Sequence, residues 1–181
     1  MNSYKKIKDV MKELVKQMPF EMITVTMICQ NAHISRKTFY AFYHDKYDVI
    51  ERIVVDDIFE KFCKIFDLTR GFQVDKTMII EKMYQHFYDD QEFYARAINI
   101  EGRNSLKNCL LCCFEEFNLE MFKDAQVSLL EKEYVAYFFA ASQVAIIEKW
   151  IVDGFLLTPK ELAEYYQKWA YESYIHHYLK R

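Results

Sequence analysis

The chain is 181 residues long, about half apolar and 17% aromatic, enough to fill a core, while 3 glycines and 2 prolines leave too few turn formers for a sheet-rich fold. A net charge of −3 excludes a uniformly basic nucleic-acid coat. The charge is uneven, however: eight Lys/Arg against five acids give residues 1–50 a net +3, and the other 131 residues carry −6, a basic head on an acidic body.

The first element is a helix over 4–18, with Ile7, Val10, Met11, Leu14, Val15 and Met18 forming one apolar stripe and Lys5, Lys8, Lys12 and Lys16 lying largely off it. Pro19 ends it. Helices over 25–31, 36–42 and 46–66 follow, capped by Thr24, Ser35 and Asp45, the first two flanked by hydrophobic staples. Further helices are expected over 76–89 (capped by Asp75), 92–100, 103–120, 125–153 and 159–179, with breaks at Gly71, Gly102 and Gly154. The last start is well marked: Thr158 caps, Pro159 takes the first helical position, Glu161 completes a capping box, and Leu157 pairs with Leu162. The fold class is therefore all-α. The most apolar stretch, Val135 to Ile147, is short for a bilayer, so no membrane partner is expected. Five cysteines (Cys29, Cys63, Cys109, Cys112, Cys113) without an apolar leader read as reduced thiols of a cytoplasmic protein.

Residues 24–43, TVTMICQNAHISRKTFYAFY, form two short helices joined by a tight turn through His33 and Ile34. Val25, Ile28, Cys29, Ala32, Phe39, Phe42 and Tyr43 face inward in this reading, leaving Arg36, Lys37, Thr38 and Tyr40 outward. Such a second helix suits the major groove: its first turn reaches base edges, Arg36 can bind guanine O6 and N7 bidentately, and Lys37 can reach bases or phosphate. Thr24, Thr38 and Tyr40 offer hydroxyls to phosphates, and Lys46 a further cation. Spacing alone leaves a second reading open, because paired short helices occur in proteins that never meet DNA and the aromatics suit a core equally.

The segment ITVTMICQNAHISRKTFYAFYHDKYDVIERI resembles the DNA-binding domain of the TetR/AcrR family of regulators, through Thr24-Val25, Ile28, Ala32, Ile34-Ser35, Thr38-Phe39-Tyr40, Phe42, Lys46 and Val49-Ile50. The likeness covers about residues 5–55, and the run around ISRKTFY is similar to a subgroup of dihydroxyacetone kinase regulators. It implies a three-helix helix-turn-helix domain over 1–46 (motif 24–43) and a helical effector-binding and dimerisation domain over 47–181. It places Thr24, Ser35, Arg36, Lys37, Thr38, Tyr40 and Lys46 at DNA-facing positions. One departure is His33, where the family usually has glycine; a left-handed backbone there would strain it.

The body is less legible. The helix ending near residue 153 is apolar on almost every side, so more than one face must be covered. Phe138, Ala141, Ala145, Trp150, Tyr165 and Trp169 are candidates for a homodimer interface, which the resemblance implies is built from the last two helices. Phe62, Phe66, Tyr84, Phe87, Tyr88, Arg103, Cys113 and Phe139 are candidates for a small-molecule effector site, although core packing explains each equally. Cys109, Cys112 and Cys113 share a helical face, but no nearby histidine completes a metal site, and neither metal nor cofactor is expected. His176-His177 reads as surface composition.

The expected function is that of an effector-responsive repressor binding double-stranded operator DNA as a homodimer, with an activator or a co-regulator working through a protein partner as the alternative. A helical enzyme is disfavoured: Glu-x-x-His pairs, a Gly-rich phosphate loop, a Gly-x-Ser-x-Gly elbow and zinc spacings are all missing.

Overall fold

The computed structural model describes residues 2–69, 76–102 and 105–171, which are helical throughout apart from their connections. α1 (Ser3–Gln17) starts where the Asn2 side chain accepts from the Tyr4 amide, and stops as Met18 turns extended before Pro19. A 3-10 turn, Phe20–Met22, leads to α2 (Val25–Ala32), α3 (Arg36–Tyr40) and α4 (Lys46–Arg52). α4 runs without a break through a π-helical segment, Ile53–Phe59, into α5 (Glu60–Thr69). The helix expected over 46–66 is thus one rod with a wide turn in its middle.

The remainder comprises α6 (Lys76–Asp89), α7 (Gln91–Ala97), α8 (Leu106–Met121), α9 (Leu129–Val152) and α10 (Pro159–Tyr171). α8 and α9 start later than periodicity suggests, because Ser105 and Ser128 cap them by accepting from the Asn108 and Glu131 amides. The capping box at Thr158 forms as expected, the Glu161 carboxylate accepting from the Thr158 amide at 2.8 Å. Asp75, Gly71, Arg103 and His176-His177 lie outside the described residues.

α1 packs on α2, α4 and α7; α8 packs on α9, and α6 on α10 and α5. One apolar cluster runs from Ile7 and Met11, through Ile50, Ile53 and Ile58 of the rod, to Leu110, Ile147 and Tyr166. α9 is long and apolar enough to cross a membrane by length and composition, unlike the shorter stretch read from the sequence. One of its faces (Ala136, Ala140, Val144, Ile147) is buried in the protein's own core. Beyond α9, Gly154 and Phe155 both take positive φ; the strain at Phe155 is held by its ring packing on Trp150 and Tyr88.

The lysines of α1 are not simply solvated. Lys8 pairs with Asp56 (3.1 Å) and Asp57 (2.8 Å), Lys12 with Asp57 (3.4 Å) and Asp90 (3.7 Å), and Lys16 with Asp90 (2.8 Å). Lys8 is only 5% exposed, and the Tyr4 hydroxyl donates to Asp56. Burial opposes ionisation of Asp57, but the hydrogen bond from Lys8 and the charges of Lys12, Lys8 and Lys61 outweigh it and hold its carboxyl below the ordinary range.

His86 sits beside this ladder, edge-on to Tyr94, and its Nε2 has no hydrogen-bond partner among the described residues. Burial, then the charges of Lys12 and Lys61, push its pKa down to about 4 against the opposing pull of Asp57 and Asp89. The unfolded chain protonates this histidine near 6.5, at about its ordinary value, so between those values the unfolded state binds more protons and stability falls as pH drops. The depressed Asp57 acts in the same direction, its contribution being lost as pH falls through its folded value. Thermal melts between roughly pH 7 and pH 4.5 should therefore show a falling Tm, with His86→Leu flattening the upper part of that slope; an unchanged slope in the variant would contradict the assignment.

Candidate nucleic-acid interface

α2 and α3 are each set by a side chain that captures a free helical amide. Thr24 Oγ1 accepts from the Met27 amide at 3.2 Å, and Ser35 Oγ from the Thr38 amide at 3.0 Å. Between them His33 closes α2 in the left-handed region (φ 50°, ψ 48°), its amide donating to the Cys29 and Gln30 carbonyls. The backbone expected of a glycine is thus adopted by histidine.

Phe39 is fully buried and anchors α3 from its inner side. Tyr43 is also buried, stacked on Tyr4 at 5.2 Å and donating through its hydroxyl to the Tyr4 carbonyl at 3.0 Å. Phe42 departs from the inward reading. α3 ends at Tyr40, so Phe42 falls in the following turn, 42% exposed, with only its edge against Tyr4.

Thr24, Ser35, Arg36, Lys37 and Tyr40 are exposed and Thr38 is half-buried, its hydroxyl 2.9 Å from Ser35 Oγ. The Arg36 guanidinium lies over the Tyr40 ring and donates to its hydroxyl at 3.3 Å, one helical turn along. Lys37 has no ion pair with any described residue. α3 therefore presents a cation, a second cation steadied by a tyrosine, and several hydroxyls.

Lys46 is placed differently from the others. Its ammonium donates to the carbonyls of Phe20 (2.8 Å), Glu21 (3.2 Å) and Ile23 (2.9 Å) and sits 4.5 Å from the Phe20 ring centroid. Burial lowers its pKa despite the nearby Glu21 and Asp45. Its three N–H groups thus close the 3-10 turn and hold the start of α4 against the entry to α2, which makes it a positioning residue rather than a free phosphate donor.

The body contains a cavity of about 170 Å³. α5 contributes Phe62 and Phe66, α6 Ile79 and Ile80, and α9 Phe139 and Gln143; α8 supplies Phe117, Asn118 and Met121, with Phe122 just past its end, and α10 adds Tyr166. Of the effector-site candidates, Phe62, Phe66 and Phe139 meet here. Tyr84 and Phe87 are fully buried in the core and do not line it, Tyr88 stacks on Trp150, and Cys113 lines a separate groove with Cys109, Cys112 and Glu51. Arg103 lies outside the described residues. Asn118 and Gln143 were missed because a lone amide in an apolar helix gives no sequence signal of what it faces. All five thiols are free, and burial pushes Cys109 and Cys113 up to about 12, so neither is a thiolate at neutral pH.

Of the dimer candidates, Phe138 is 66% exposed, Ala145 and Tyr165 are exposed, and Ala141 and Trp169 are half-buried. Trp150 is corrected: it is 4% exposed, donates to the Leu157 carbonyl at 2.9 Å and belongs to the protomer's core. Leu130, Tyr134 and Tyr137, missed before, extend the exposed apolar stripe of α9.

Residues 76–171 match the family model described as the C-terminal region of a transcriptional regulator of TetR type. No curated protein sequence matches significantly. Three solved structures share the fold over nearly the whole chain. The dihydroxyacetone kinase operon activator DhaS is 22% identical, with a TM-score of 0.66, over 92% of this chain and 93% of that one. A TetR transcriptional regulator from Streptococcus agalactiae 2603V is 17% identical, with a TM-score of 0.63, over 92% of each. A TetR-family regulator from Syntrophomonas wolfei is 16% identical, with a TM-score of 0.67, over 93% and 94%.

Two stability changes follow from this geometry. His33→Gly relieves a left-handed Cβ clash and should raise stability by about 0.5–1 kcal/mol in denaturant titration. Lys46→Ala leaves three carbonyls without their donor and should lower it by about 1.5–3 kcal/mol; no loss would mean that the ammonium does not hold the turn.

Proposed function

The chain belongs to the TetR family of DNA-binding transcriptional regulators, and from that premise we propose that it acts as a homodimeric, effector-responsive repressor reading its operator through α3. The observation carrying this reading is the surface of α3: Arg36 and Lys37 are exposed on its first turn while the buried Phe39 fixes the helix from behind. In this reading Arg36 and Lys37 meet base edges, and Thr24, Ser35, Thr38 and Tyr40 meet phosphates and set register. Lys46 acts indirectly by fixing α4. We place the domain boundary at Lys46, where the Asp45 cap starts the rod that enters the body. The site of action is the cytoplasm.

The dimer forms through the apolar stripe of α9 (Tyr134, Tyr137, Phe138, Ala141, Ala145) with Tyr165 and Trp169 of α10. A patch of this kind on a monomer needs a cover, and a second copy gives two recognition helices for a two-fold operator with half-sites about 34–36 Å apart. An effector in the cavity would shift α5, and with it the rod and the ion-paired α1, changing the separation of the two α3 helices. The coupling equals the effector's difference in affinity between the two states and no more. One observation favours activation as a second reading: the structurally similar DhaS is named an operon activator. Transcript levels in a deletion strain decide the sign, target genes rising under repression and falling under activation.

DNA-binding titrations test the interface. Arg36→Ala and Lys37→Ala should each reduce operator affinity by about 1–3 kcal/mol with little effect on random-sequence DNA, whereas Tyr40→Phe should weaken both alike. Equal losses on both DNAs from Arg36→Ala would remove the base-reading role.

A further inference from the structure

A residue lining the cavity of the body carries a polar atom that the fold leaves unanswered. Gln143 is 7% exposed, lines the cavity, and its Oε1 has no hydrogen-bond partner among the described residues. Buried polar atoms are paired in the great majority of proteins, so an unpaired side-chain amide on a residue that lines a cavity marks a place where a ligand's polar group fits. The other amide in the wall, Asn118, has its Nδ2 engaged with the Ala136 carbonyl at 3.1 Å. Among the described residues no Lys, Arg, His, Asp or Glu lines the cavity; Lys61 and Lys82 belong to a neighbouring cleft whose described lining shares Phe62 and Ile79 with it.

We propose that the cavity binds a neutral molecule of one ring, or two fused rings, whose hydroxyl hydrogen-bonds with the Gln143 side-chain amide. This rests on the effector reading above and gives it a chemistry. The size follows from the volume, since an apolar cavity of about 150 Å³ admits benzene and this one is about 170 Å³. The ring follows from the walls: Phe62, Phe66, Phe117 and Phe139 offer faces and edges to an aromatic guest. Neutrality follows because no described residue of the wall carries a charge that would compensate a buried one. The hydroxyl follows because a side-chain amide both donates and accepts, and a hydroxyl answers either end.

Phenol, toluene and benzoate, similar in size and different in chemistry, test the proposal by calorimetric titration of the full chain and of Gln143→Leu. The natural protein should bind phenol and toluene but not benzoate. Gln143→Leu should weaken phenol about tenfold while toluene binds as well or better, with a Tm no lower than that of the natural protein. Gln143→Met, a closer match in shape, should repeat the loss should the leucine variant fold poorly, and Phe117→Trp should exclude both neutral probes by filling the space. The proposal is overturned if phenol does not bind, if neither Gln143 variant separates phenol from toluene, or if benzoate binds comparably. Operator affinity measured at saturating phenol separates this inference from the one beneath it. Phenol bound through Gln143 with operator affinity unchanged contradicts the effector reading and leaves the ligand class standing, whereas absent phenol binding removes the ligand class alone.

Discussion

Three lysines one turn apart on α1 reach across to Asp56 and Asp57 on the rod and to Asp90 at the α6–α7 corner, and this ladder ties the DNA-reading head to the body. Its first rung is desolvated, so separating Lys8 from its partners would leave buried charge uncompensated, which is typically costly by about 3–5 kcal/mol. α1 therefore moves with the rod or not at all. The π-helical turn is part of the same device. It carries Asp56 and Asp57, both of which reach Lys8. Such turns are frequent at functional sites, and here one lies in the middle of the rod that joins α4 to α5.

The head follows from a few local decisions. Thr24, Ser35 and Asp45 each start a helix by answering amides, and the buried Phe39 and Tyr43 leave α3 a single way to face. Lys46 draws the entry to α2 and the start of α4 together through three carbonyls.

What the sequence revealed and what it concealed divide along the range of the interaction. Caps and stripes are local, so the helices were legible, while the left-handed backbone at His33 was expected from the resemblance. Phe42 was misread because α3 ends two residues sooner than the aromatic spacing suggests, and Trp150 because an all-apolar helix does not say which face meets its own chain. The partners of Lys8, Lys12 and Lys16 lie about 40 to 80 residues away and could not be read from α1 alone. The same holds for Gln143, whose meaning depends on a cavity assembled from five helices.

The account is tested most directly by selecting binding sites for the natural protein from random duplex DNA and sequencing them. It predicts enrichment of a single motif with dyad symmetry, its two halves centred about one helical turn apart or a multiple of it. Failure to enrich any motif, or enrichment of a lone half-site without a symmetric mate, would contradict it.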